Sequence, residues 1–260
     1  MKKQILFFLL LFSFFSSFSL KLDRVIVSTD ANPMYMDFWP IVAQAWKEIV
    51  GIKPTLALIA PADVEIDESL GDVIRFEPIE GISTALQAQV IRLLLPILFK
   101  DEVCIISDID MIPLSKSFYV NTIAEIPDDC FVVYKSSALP QYKQYAMCYN
   151  AAKGSVYGEI FGIDNLDDIS DLIKFFAKQF NHAWSTDQQA LYFYLNNWED
   201  FETRCVKLGY GTKKRVDRVR WGYDIEKLKE GYYVDAHMLR PYKKFKSHND
   251  LLLVHLGLED

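Results

Sequence analysis

Val103-Cys104-Ile105-Ile106-Ser107-Asp108-Ile109-Asp110-Met111-Ile112-Pro113-Leu114 passes from wholly apolar to doubly acidic within three residues. A continuous apolar run of this length reads as a strand buried on both faces, the hallmark of a parallel sheet covered by helices. Working outward, Arg24 to Ser28, Thr55 to Ile59 and Val73 to Phe76 are further short β-branched or apolar runs and read as strands. Between them, Asp37 to Val50 carries Phe38, Ile41, Val42, Ala45 and Ile49 at helical spacing and stops at Gly51. Ser83 or Thr84 can cap a second helix whose Leu86, Val90, Leu93, Leu94 and Ile97 point inward. Strand–helix alternation over the first 110 residues predicts an α/β layer fold with a mostly parallel central sheet flanked by helices. Phe131 to Tyr134 and Ala146 to Tyr149 are strand candidates; Ile169 to Phe180 and Asp187 to Leu195 read as helices. No repeat or Pro/Gly-rich linker divides residues 21–260, which are read as one domain.

Composition narrows the function classes. At 51% hydrophobic and 24% charged residues the chain is neither disordered nor polytopic in a membrane. A net charge of −7 argues against a general nucleic-acid binder. Four cysteines without CxxC spacing exclude a small disulfide scaffold and a zinc site built on them. Residues 1–20 stand apart, with Lys2 and Lys3 followed by Leu- and Phe-rich sequence and then Ser16 to Ser19. Ser17 and Ser19 form a small-x-small pattern before Leu20, so this segment reads as a cleaved signal peptide or an N-terminal membrane anchor. Either reading exports the rest: to the secretory pathway or Golgi lumen of a eukaryote, or the periplasm or envelope of a bacterium. Without these residues 26 basic face 35 acidic side chains, a charge of −9.

The chemistry concentrates at Asp108 and Asp110. Residues i and i+2 of an extended segment share one side, so an extended chain here presents two carboxylates together. The carboxyl ends of parallel strands are where open α/β sheets bind ligands. Two close like charges repel, and a hard divalent cation, Mn2+ or Mg2+, relieves them. Haloacid-dehalogenase-type phosphatases also carry Asp-x-Asp after an apolar strand, but normally on the first strand. Nucleotide-sugar-dependent glycosyltransferases place it after a nucleotide-binding half of about the length seen here.

Five further segments, in order, resemble the glycogenin and bacterial galactosyltransferase type (glycosyltransferase family 8-like) of the Rossmann-like GT-A fold. They are Thr29-Asp30-Ala31-Asn32, Gln89-x-x-Arg92-Leu93-x-x-Pro96, Tyr149-Asn150-Ala151-Ala152, Thr186-Asp187-Gln188-Gln189-Ala190-Leu191 and Val254-His255-Leu256-Gly257. The resemblance implies that Thr29, Asp30 and Asn32 seat the nucleoside, and that Arg92 and Asn150 hold the donor sugar. It implies that Asp187 and Gln188 lie beside the reacting carbon, and that His255 completes a metal shell with Asp108 and Asp110. The implied activity is metal-dependent sugar transfer from a nucleotide-diphosphate donor to a carbohydrate, lipid or protein acceptor, with retained anomeric configuration. The alternatives are a non-catalytic carbohydrate-binding protein of the same fold and an Asp-x-Asp phosphatase or phosphotransferase. His237 is the runner-up to His255. From Arg204 to Lys246, 13 Lys/Arg face five Asp/Glu, a local +8 suited to a solvated face, a diphosphate, an anionic acceptor or acidic lipid.

Overall fold

A computed structural model describes residues 19–258; most of the expected signal or anchor segment, residues 1–18, lies outside the described residues. The predicted strands are present as β1 (Arg24–Asp30), β2 (Lys53–Ile59), β3 (Asp72–Phe76) and β4 (Val103–Ile106). They are followed by β5 (Met111–Pro113), β6 (Phe131–Val133), β7 (Asn150–Lys153), β8 (Cys205–Lys207), β9 (Arg215–Val216) and β10 (Asp235–His237). Seven of these form the central sheet in the order β3-β2-β1-β4-β7-β6-β8, and β5-β10-β9 form a small second sheet. β3, β2, β1 and β4 are mutually parallel, while β7 runs antiparallel to both β4 and β6. The α/β expectation therefore holds, with one antiparallel insertion.

Alternation along the central strands explains their apolar runs. Val25, Val27, Leu56, Leu58, Val103 and Ile105 face one core, built around Trp39, Trp46 and Tyr149. Ile26, Ala57, Ile59, Cys104 and Ile106 face the other, under the Thr84–Leu94 helix. A strand with helices on both faces has no solvent side, so no polar residue interrupts it. Ser83 caps that helix, its hydroxyl accepting from the Leu86 amide.

Topology then fixes where a ligand can go. After β1 the chain builds β2 and β3 outward on one side, then returns to place β4 on the other. The crevice beyond the carboxyl ends of β1 and β4 is the switch point of the sheet. At the opposite end, the Leu20 amide donates to the Ile126 carbonyl and Ser19 bridges Pro127, with Leu20 and Leu22 buried. No helix among the described residues is long and apolar enough to cross a membrane.

Two local expectations are corrected. The strand expected at Ala146 to Tyr149 begins instead at Asn150, because the Asn150 amide donates to the Ala146 and Met147 carbonyls and folds those residues into a turn. The Asp108–Asp110 segment is likewise a turn, not an extended chain: the Met111 amide donates back to the Asp108 carbonyl.

Candidate active site

Asp30 ends β1, and Asp108 and Asp110 occupy the turn that leaves β4; all three line one pocket at the switch point. Thr29, Arg92, Asp187 and Gln188 line the same pocket. Each is brought there by a separate element. Arg92 projects from the Thr84–Leu94 helix, and Asp187 and Gln188 open the Thr186–Asn196 helix. Asp30 is oriented by the Thr84 hydroxyl, which donates to its Oδ2 at 2.8 Å.

One wall is built on Arg92. Its guanidinium donates to Asp108 Oδ1 at 2.5 Å and to Asp187 Oδ2 at 2.7 Å, while its Nε is buried without a partner. Flanked by two carboxylates, Arg92 keeps its proton even though burial opposes its charge. Asp187 is 1% exposed, and this burial pushes its carboxyl above the usual carboxylate range, against the opposing pull of Arg92. Ser185 makes no side-chain cap on the following helix; Asp187 is anchored by Arg92 and by the Gln188 amide at 2.8 Å.

The other wall is built on Asp110, whose Oδ2 meets two guanidiniums and an imidazole. Arg218 lies at 2.6 Å, and Arg240 and His237 Nε2 each lie at 3.4 Å. Burial disfavours the Asp110 charge, but His237, Arg218 and Arg240 outweigh it and hold the carboxyl down at about 2. β10 delivers His237: it pairs antiparallel with β5, and just beyond it the Met238 amide donates to the Asp110 carbonyl. β10 is fixed in turn by buried Asp235, which accepts from Lys135 and, at 2.9 and 3.1 Å, from Arg215.

Three sequence-derived candidates fall outside this lining. His255 lies on the Lys246–Leu256 helix, where its Nδ1 meets the Tyr223 hydroxyl at 2.9 Å. The Gly257 that suggested a motif is that helix's left-handed C-cap, at φ 70°. His237 replaces His255 at the pocket. Asn32 caps the Pro33–Met36 turn by accepting from the Met34 amide. Asn150 is fully buried with its amide closing the turn before β7 and its Oδ1 unpaired. Conversely, Tyr35, Trp184, Arg218 and Arg240 line the pocket without having been singled out individually. The basic surplus between Arg204 and Lys246 was the available signal for the two arginines.

Among the described residues, no group of three or more His, Cys, Asp or Glu side chains is gathered closely enough to hold a metal ion. Guanidinium groups pair with both carboxylates of the turn. The donor chemistry nonetheless suits a divalent cation, since Asp108, Asp110 and His237 supply two carboxylates and an imidazole to one pocket. Asp110 Oδ2, with two guanidinium neighbours, is already a place where positive charge collects.

No protein-family model and no curated protein matches this chain. Solved structures do. The glycosyltransferase GlyE of Streptococcus pneumoniae TIGR4 superposes with a TM-score of 0.53 at 13% identity, over 92% of this chain and 63% of that one. This chain thus spans less than two thirds of the GlyE chain. The galactosyltransferase LgtC, solved with donor and acceptor sugar analogs, superposes with a TM-score of 0.51 at 9% identity, over 88% of this chain and 95% of that one. With its mostly parallel sheet, its switch-point pocket and these two likenesses, the chain has the GT-A fold of glycosyltransferases.

Proposed function

We propose that this protein transfers a sugar from a nucleoside-diphosphate donor to a carbohydrate, lipid or protein acceptor, with Mn2+ or Mg2+ held by Asp108, Asp110 and His237. The observation that carries this reading is the convergence of Asp30, Arg92, Asp108, Asp110, Asp187 and Gln188 on one switch-point pocket of a GT-A fold. When bound, the cation would supply counter-charge to the leaving diphosphate. The chain's own residues do the rest. Thr29 and Asp30, at the end of β1, seat the nucleoside. Arg92 keeps Asp187 oriented, and its charge opposes the effect of burial on that carboxyl, in a wall that water hardly reaches. From there Asp187 stabilises the positive charge that builds on the anomeric carbon as the glycosidic bond breaks, and Gln188 lies beside it. Retention of configuration follows from the resemblance to the retaining type, and action beyond a membrane from the N-terminal pattern. The phosphatase alternative is weaker, because its nucleophile would be Asp108, whose carboxylate is tied to Arg92.

Thermal denaturation of the full chain with a panel of nucleotide-sugars, with and without Mn2+, tests this directly. A donor at a hundredfold excess over its Kd adds about 2.7 kcal/mol of apparent stability. Asp110→Asn should abolish turnover and the Mn2+-dependent shift while still melting cooperatively. Full turnover by EDTA-treated Asp110→Asn would end the metal reading; no shift with any donor would end the transferase reading.

A further inference from the structure

Of the five tryptophans, Trp39 and Trp46 are fully buried, and Trp198 and Trp221 are half-buried, one under Arg204 and the other against Tyr223. Trp184 is 63% exposed, yet it lines the pocket. Its backbone, by contrast, is tightly held. The turn between the Asp167–Gln179 and Thr186–Asn196 helices runs through Asn181 and His182, both left-handed, at φ 54° and 52°. Two such residues in succession, neither a glycine, persist only where the surroundings fix them. Here the His182 amide donates to the Ala177 carbonyl at 2.8 Å. The Thr186 amide and hydroxyl both donate to the Ala183 carbonyl, at 3.0 and 2.7 Å. An indole mounted this way is a pre-positioned apolar plate, turned to solvent at the edge of the pocket.

Trp184 stands three positions before Asp187, beside the wall that Arg92 builds. The Thr84–Leu94 and Thr186–Asn196 helices that frame this wall also supply Ala85, Ala88, Gln89 and Gln188 to the lining. The wall's formal charge is spent internally, since Arg92 pairs with both Asp108 and Asp187. What it offers a ligand is an indole, methyl groups and two half-buried amides. We propose that Trp184 is the platform for the acceptor, stacking on the apolar C–H face of an uncharged pyranose whose hydroxyls meet the Gln89 and Gln188 amides. This rests on the transferase reading, in which Thr29 and Asp30 seat the nucleoside and Asp187 faces the reacting carbon; a ring on Trp184 then adjoins that carbon, not the base. Stacking removes the sugar's C–H groups and the indole from water together, while the hydroxyls stay free to pair with amides or solvent. A phosphate or carboxylate would meet, in this part of the lining, a guanidinium already claimed by two carboxylates.

Ligand-observed NMR titration of the full chain tests this, with methyl β-glucopyranoside, methyl β-galactopyranoside and methyl β-glucuronide as probes. Magnetisation should pass from the protein to the ring C–H protons of at least one neutral glycoside. It should pass less to the glucuronide, which carries a carboxylate in place of the glucoside's hydroxymethyl group. Trp184→Ala should weaken binding of that neutral glycoside by about tenfold, and Trp184→Phe should restore part of it. Phe193→Ala is the control, since Phe193 is 51% exposed on the same helix but outside the pocket lining, and it should leave the affinity unchanged. A cooperative melt confirms the fold of each variant. No binding of either neutral glycoside, equal binding by Trp184→Ala, an equal loss in Phe193→Ala, or a glucuronide bound as tightly as the glucoside overturns the proposal. Loss of the nucleotide-sugar thermal shift in Trp184→Ala overturns it too, by assigning the indole to the donor. Failure of the transferase reading looks different: glycosides then still stack on Trp184, but no nucleotide-sugar stabilises the wild type.

Discussion

Arg92→Met should cost stability in a pH-dependent way. The substitution keeps an unbranched side chain but removes the guanidinium that compensates buried Asp187 at 2.7 Å. Asp108 is partly shielded from the loss because its side chain is 29% exposed, whereas that of Asp187 is 2% exposed. Breaking a buried pair by deleting one partner typically costs about 3–5 kcal/mol, and that is the deficit expected near pH 8. Burial already pushes the Asp187 carboxyl upward, and without Arg92 nothing of comparable size opposes it. The native variant then binds a proton more tightly than the unfolded chain, so its stability rises as pH falls toward the ordinary carboxylate range. Urea unfolding near pH 8 and near pH 5, each referred to wild type, should show a deficit smaller by more than about 1 kcal/mol at the lower pH. Asp187→Asn on the Arg92→Met background should recover much of the loss at the higher pH, because it deletes the stranded charge. A loss under about 1 kcal/mol at both pH values, a larger loss in acid, or no recovery in the double variant would refute the reasoning.

In otherwise wild-type protein, Asp187→Asn should lower kcat by about a hundredfold with donor affinity little changed, since an amide oxygen still accepts from Arg92 but carries no charge to offer the transition state. Steady-state kinetics beside donor titration separate the two quantities. Asp235→Asn should destabilise by about 3–5 kcal/mol in urea, because buried Lys135 and the largely covered Arg215 guanidinium surround a carboxylate that their charges hold low against its burial. That carboxylate stabilises wild type above the unfolded carboxylate value and ceases to as pH falls through its lowered native one, so the variant should lose less stability in acid. Gly154→Ala should cost upwards of about 1–3 kcal/mol by the same assay, because a Cβ there would meet the Pro96 and Phe99 carbonyl oxygens inside contact distance.

Much of the central sheet was legible because burial on both faces leaves a strong mark: Val103 to Ile106 and Leu56 to Ile59 have no polar interruption. Asp108 and Asp110 were legible for the complementary reason, as charges that abruptly end such a run. The β5-β10-β9 sheet was not legible, since strands of two or three residues carry no period. That gap decided between the histidines. His237 owes its place at Asp110 to pairing between β10 and β5, distant in sequence, whereas His255 sits outside the pocket lining on a helix that Gly257 ends. Asn150 lies outside the pocket lining, its buried side-chain amide folding the turn before β7, a local role that its sequence neighbours do not reveal. The arginines on the carboxylates could not have been paired in advance, since Arg218 lies 108 residues from Asp110.

The anchoring of Leu20 on Ile126 sets a direction for the molecule. β1 begins just after that anchor and runs seven residues to Asp30, about 23 Å at roughly 3.3 Å per residue. Residue 19 therefore leaves the fold on the pole away from the pocket. The first described residues and the pocket thus stand at opposite ends of β1, with the whole length of the sheet's strands between them.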